Sequence, residues 1–237
     1  MSTGTLCFIP CCNSKTPTHS VVGSQSSWYE ETSGIDYQRL LRGREAMKSS
    51  LKLGSPHTPA LFLYTGEFYR VLDKGKIMNK IAMGDLRLSI ISAGYGIVDA
   101  LERIQDYNAK MEGSVARKWQ DNDLSGLIGD YILKSSPETI FGFFTGEEKW
   151  SASNSKYRYF FTSGIRSALK AGLKVSAAGC FYRSEGQWPN PILPVLGMCF
   201  MNAVSSNFSE DFISQAETKG IRYPQYPSIL IKFRRFS

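Results

Sequence analysis

The sequence predicts an α/β protein. It reads as a single domain, residues 1–237, with a mixed, mostly parallel sheet flanked by helices and the loops at the strand carboxyl ends forming a basic cleft. Three observations predict it. Short apolar runs of strand length alternate with longer stretches of helical spacing, as in strand–helix units. Three of the early runs break into small polar residues or glycine, at Cys11–Pro17, Thr65-Gly66 and Gly94-Tyr95-Gly96. Ligands of parallel sheets bind outside the carboxyl ends of the strands, where such turns lie. Hydrophobic residues make up 42% of the 237 and aromatics 13%, enough for a sizeable core, which excludes a disordered chain.

Leu6 to Pro10 reads as the first strand, and Val21 to Ile35 as a polar, serine-rich loop. Asp36 to Lys52 has helical spacing at Tyr37, Leu40, Leu41 and Met47, weakened by Gly43. Ala60 to Tyr64 (ALFLY) reads as a second buried strand, followed by a helix through Leu72. Leu88, Ile90 and Ile91 mark a strand inside a covered sheet. After Gly94-Tyr95-Gly96 the chain to Met111 is amphipathic and reads as mostly helical, with Asp99 as N-cap and Glu102 as its acidic partner three residues on. Ser114 to Leu133 suggests two short helices, and Thr139 to Phe144 another buried strand. Phe160, Phe161, Ile165 and Leu169 fit the core face of a helix, and Val175 to Tyr182 a late strand. Three prolines make Ser184 to Pro194 irregular; Val195 to Val204 fits helix or strand. Ser209 to Lys219 is a helix stopped by Gly220, and Ser228 to Phe236 alternates apolar and basic residues as a terminal edge strand.

With 28 Lys+Arg against 21 Asp+Glu the net charge is +7, which favours a polyanionic partner, nucleic acid first among them. From Lys149 to Ser184 the chain carries seven basic residues and no acidic one, interleaved with aromatics. Lys149, Lys156, Arg158, Arg166 and Lys170 are the expected phosphate contacts there, with rings available to bases. The competing reading is a core-facing helix whose cations are merely solvated. No apolar run is long enough to span a bilayer, and the first residues lack the pattern of a secretory leader, so a cytoplasmic protein is expected. Five cysteines at uneven spacing argue against a disulfide framework. Adjacent Cys11 and Cys12, with only two histidines in the chain, make a zinc site unfavourable, and no metal or cofactor is expected. Dinucleotide, P-loop, nucleophile-elbow and HExxH motifs are absent from the sequence.

Three segments carry a resemblance. Leu63-Tyr64-Thr65-Gly66-Glu67-Phe68-Tyr69 resembles the tyrosine–glycine–aromatic turn of the peroxide-stress protein YaaA and its relatives. Ile90 to Val98 followed by Ile104 to Met111 is similar to that family's "ILSxxYGLL…I.PY…M" signature. Ile9 to Pro17, with Cys11, Cys12, Asn13, Ser14 and Lys15, is similar to the family's first loop, and nearer to a Cys-Ser-Lys form found beside nucleic-acid base-modification systems. The resemblance covers residues 1–148; residues 149–237 diverge. It implies loops lining a basic cleft, with DNA ahead of RNA, or a nucleotide-like molecule, as partner.

The residues support such a pocket independently. Lys15 and Ser14, with Cys11 and Asn13 beside them, would meet an anionic group. Tyr64, Tyr69, Tyr95 and Tyr107 would hold a ring, with Thr65, Gly66, Ser92, Gly94 and Gly96 shaping the turns. Lys15 is the expected nucleophile or electrostatic stabiliser, and Glu67 and Asp106 the groups that would move protons. The expected function is an enzyme modifying or excising a nucleobase or nucleotide. The alternative is a non-catalytic DNA-binding protein of stress or defence physiology.

Overall fold

The computed structural model describes residues 3–18, 35–54, 56–145, 156–186 and 191–236. Its main sheet is mixed α/β in character and runs β4-β3-β1-β6-β7-β9-β8. The strands are β1 (Thr3–Pro10), β3 (Leu86–Ser92), β4 (Gly96–Asp99), β6 (Pro137–Phe143), β7 (Ala177–Glu185), β8 (Ile221–Tyr223) and β9 (Tyr226–Arg235). The central four, β3-β1-β6-β7, are parallel, while β4, β9 and β8 add antiparallel margins. A separate two-stranded piece joins β2 (Thr58–Pro59) to β5 (Arg103–Ile104). Leu6 to Ile9 of β1 are fully buried on both faces, which is why this strand reads as a continuous apolar run.

The helices are α1 (Ile35–Lys48), α2 (Ala60–Leu63), α3 (Glu67–Arg70), α4 (Lys74–Ala82), α5 (Gly113–Asp121), α6 (Leu124–Ser135), α7 (Tyr157–Lys170), α8 (Ile192–Ser205) and α9 (Glu210–Thr218). The expected helix pair between Ser114 and Leu133 is present as α5 and α6, and the Val195–Val204 run is helical. Ser209 caps α9 by accepting from the Phe212 amide. Phe160, Phe161 and Ile165 on α7 are buried, as a core face requires.

Three expectations are corrected. Ala60–Leu63 forms a single helical turn rather than a strand. Its backbone has no open ladder to join: the Ala60 and Leu61 amides go to Glu102 O and Ala100 O, and Tyr64 N closes onto Ala60 O. Only Tyr64 pairs as strand, with Lys15. The chain after Gly94 is not helical. Gly96, at φ +73°, turns it back so that β4 lies antiparallel on β3, with Ser92 opposite Gly96. The Asp99–Glu102 signal is real but closes a turn: Glu102 accepts the Asp99 amide at 3.3 Å while the Glu102 amide donates to Asp99 O at 3.0 Å. Arg103 and Ile104 then pair as β5, which stops any helix. Finally, β9 is not the edge strand, because the short β8 pairs outside it. Residues 19–34, most of the loop expected before α1, lie outside the described residues.

Candidate functional site

The register of the sheet assembles the site. β1 and β3 are parallel neighbours with Pro10 opposite Ile91, so the segments after both strands emerge at one edge. The Cys11 amide donates to Ile91 O at 2.9 Å, and the Ala93 amide to Cys11 Sγ at 3.4 Å. The third loop is stitched on by the Lys15–Tyr64 bridge, through Thr16 N to Leu63 O at 2.9 Å and Thr65 N to Ser14 O at 3.0 Å. Cys12 Sγ accepts from the Gly66 amide at 3.2 Å and ties the same two loops again. The three turns singled out in the sequence thus meet in space.

A hydroxyl triangle lies beneath them. Tyr64 and Tyr107 hydroxyls are 2.9 Å apart, Ser92 Oγ is 2.8 Å from Tyr107 and accepts from Tyr64 at 3.3 Å. Ser92 Oγ also accepts the Tyr95 amide at 3.1 Å, which holds the Gly94–Gly96 turn against the floor. Tyr69 donates to Pro10 O at 2.8 Å, and the Tyr157 hydroxyl sits 3.0 Å from Cys11 Sγ. Gly94 is demanded by this packing: a Cβ there would lie 2.8 Å from the Tyr107 ring. Burial raises Tyr64, Tyr69, Tyr107 and Tyr157 well above the ordinary tyrosine value, so all remain neutral hydroxyls at physiological pH. Tyr64, Tyr69 and Tyr107 are buried, so they form a floor; Tyr95 is half-buried and meets Tyr107 edge-on, ring centroids 5.6 Å apart.

Lys15 covers that floor. Its ammonium is 4.0 Å from the Tyr107 ring centroid and 5.9 Å from that of Tyr64, and it donates to Asn13 O at 3.3 Å. Burial lowers its pKa, opposed by Cys11, Cys12 and Asp106. Asp106 is therefore close enough to act on Lys15, whereas Glu67 is exposed in the first turn of α3. Asn13 and Ser14 are exposed, and the amides of Cys12, Asn13 and Ser14 donate to no acceptor among the described residues. Thr16 and Thr65 hydroxyls face each other at 3.3 Å.

The sequence reading missed Lys74. From the N-terminal end of α4 its ammonium reaches Tyr64 O at 3.4 Å, and its pKa is lowered by burial and raised by Cys12. Nothing local marks it, because only the fold brings α4 beside the Thr65-Gly66 turn. Tyr157, an aromatic of the basic window, likewise meets Cys11 only through the fold. In that window Arg166 and Lys170 are exposed on α7. Lys156 and Arg158 are buried, Arg158 with its guanidinium 4.1 Å from the Tyr182 ring, so neither presents its charge to solvent. Lys149 lies outside the described residues. Among the described residues no group of three or more His, Cys, Asp and Glu is placed to hold a metal, and no helix is long and apolar enough to cross a membrane.

The model of the family described as peroxide stress protein YaaA matches residues 31–135, rather less than half the chain. That span contains Tyr64, Thr65, Gly66, Tyr69, Ser92, Tyr95 and Tyr107, and ends before α7. The Cys11–Lys15 loop lies outside it. No curated protein matches the chain.

Proposed function

We propose that the protein acts on a nucleobase or nucleotide, within a nucleic acid or free, at the three-loop pocket. The observation that carries this is the Lys15 ammonium 4.0 Å above Tyr107, on a loop whose successive amides remain uncommitted. Those amides, with the Lys15 and Lys74 ammonium groups, suit an anionic group such as a phosphate. Lys15 is then the group placed for chemistry. Its lowered pKa brings the free amine nearer to physiological pH, and the neutral hydroxyls of Tyr64, Ser92 and Tyr107 lie beneath it to pass or hold a proton. Asp106 is better placed than Glu67 to assist. The +7 charge suits a polyanionic polymer such as a nucleic acid.

The test is binding and turnover on duplex, single strand and mononucleotide, for the wild type and Lys15→Ala. The variant is expected to lose binding at least about tenfold, one charge-assisted bond's worth at the lower end, together with any base-release or base-modification signal. Wild-type affinity that hardly changes between low and high salt would sink the nucleic-acid premise.

A second reading, a non-catalytic DNA-binding protein of the stress response, is favoured by the description of the matched family and by exposed Arg166 and Lys170. Under it, Lys15→Ala changes affinity little and no turnover appears on any substrate.

A further inference from the structure

The two rings beneath Lys15 offer a base no open face. Tyr107 has the Lys15 ammonium over it, 4.0 Å from the centroid, and Gly94 lies so close to the same ring that a Cβ there would meet it at 2.8 Å. Tyr64 is fully buried. Stacking needs a free ring face. What stands open at this place is polar instead. The amides of Cys12, Asn13 and Ser14 donate to no acceptor among the described residues, and Asn13 and Ser14 are exposed. The Lys74 ammonium reaches the neighbouring turn at Tyr64 O. Successive open amides beside an ammonium suit a phosphate and the sugar that carries it.

Lys15 is the reactive group among them. It forms no ion pair among the described residues, and its one hydrogen bond goes to Asn13 O at 3.3 Å. Burial lowers its pKa, against the opposing pull of Cys11, Cys12 and Asp106, which enlarges the share of free amine. A primary amine held over an aromatic ring, partly withdrawn from water and free of a salt bridge, is placed to act as a neutral nucleophile. The carbon of a sugar phosphate that such an amine attacks is an aldehyde carbon. Deoxyribose presents one at C1′ once its base is gone and its ring has opened.

We propose that Lys15 forms an imine with the C1′ aldehyde of a deoxyribose phosphate that has lost its base. The inference rests on the reading above in seating a nucleotide unit at this pocket, and it moves the reacting atom from the base to the sugar. The amine lone pair bonds to C1′ while the carbonyl π pair passes to oxygen. Both amine protons then leave with that oxygen as one water, and the C1′–N bond becomes double. Nothing is oxidised or reduced in the step. The loop amides and Lys74 hold the phosphate meanwhile.

The probe is a duplex with one abasic site, mixed with the protein and sodium borohydride, which reduces an imine to a stable secondary amine. The wild type is expected to give a covalent protein–DNA band on a denaturing gel, mapped by mass spectrometry to the peptide holding Lys15. Lys15→Arg keeps the positive charge but has no amine to condense; checked for unchanged melting and run at saturating duplex, it should give less than about a tenth of the wild-type band. A duplex with tetrahydrofuran in place of the abasic sugar has no aldehyde and should give no band. No adduct with the wild type, an adduct mapped to another lysine, or an equal band from Lys15→Arg overturns the imine. In each of those cases a Lys15-dependent affinity for oligonucleotide or mononucleotide leaves the reading above standing. Free 2-deoxyribose 5-phosphate, reduced in the same way, separates the sources. An adduct with the duplex in preference to the free sugar identifies a strand as substrate. An adduct with the free sugar alone, from a protein that binds no nucleic acid or nucleotide, upholds the imine and overturns the reading above.

Discussion

At Gly94 the absence of one methyl group decides whether Tyr107 can stand where it does. A Cβ there would approach the ring to 2.8 Å, and the ring is pinned on its other sides by Tyr64, Ser92 and Lys15. Gly94→Ala is expected to cost about 1–3 kcal/mol as overpacking, read as a lower denaturant midpoint at unchanged slope, and to weaken any ligand of the pocket with it. Lys15 offers a pH test. Its folded pKa is depressed below 10.5, so across the interval between the two values the unfolded chain holds a proton the folded chain has released. Stability therefore rises with pH through that interval. Wild type should gain on Lys15→Met as pH climbs from neutrality towards 10.5, seen in paired denaturation curves; a constant difference would show that Lys15 is not desolvated.

Among the elements, the turn from β4 to β5 depends on one distant arginine. Arg44 of α1 spends all three nitrogens on Tyr95 O at 2.9 Å, Ile97 O at 2.6 Å and Glu102 at 2.6 Å, in a largely buried setting. It thereby clamps both ends of β4 to the helix. Arg44→Ala strips the buried Glu102 carboxylate of its counter-charge, leaving it the Asp99 amide, and removes the side-chain donor to two carbonyls; it is expected to cost about 3–5 kcal/mol. Lysine cannot reproduce a three-way fork, so Arg44→Lys should recover little of it. Urea melts of the two variants check this, and near-wild-type stability of Arg44→Lys would refute the clamp. The same region shows why local signals mislead. Asp99 and Glu102 do make the reciprocal contact expected of a helix start, yet the chain beyond them is taken by β2 instead.

Across the whole molecule the buried tyrosines set an alkaline limit. Tyr64, Tyr69, Tyr107, Tyr131 and Tyr157 are all raised well above 10.0 by burial. Above pH 10 the unfolded chain releases protons that the folded chain keeps, so stability is intact below 10 and falls as pH rises through it. Spectrophotometric titration should show these phenols ionising together with loss of helical circular dichroism. Gradual ionisation in a folded protein would contradict their burial.

Most of the succession of strands and helices, the α6–α7 core faces, the cap of α9 and the positions of the three turns, two of them glycine-bearing, were legible in the residues, because periodicity and capping act over a few positions. The fold brings Lys15, Tyr64, Tyr95 and Tyr107, all singled out in the residues, near one another. The residues misled at ALFLY, which reads as a strand and folds as a helical turn, since an apolar run looks the same on both and only the availability of a ladder partner decides. They did not reveal Lys74, the Tyr157–Cys11 contact or the burial of Lys156 and Arg158, which follow from which helix lies against which loop. The sequence by itself determined the local elements and the chemistry carried by each turn. The tertiary structure decided which of those turns share one sheet edge, because parallel register between β1 and β3 is set by long-range pairing that no local stretch encodes.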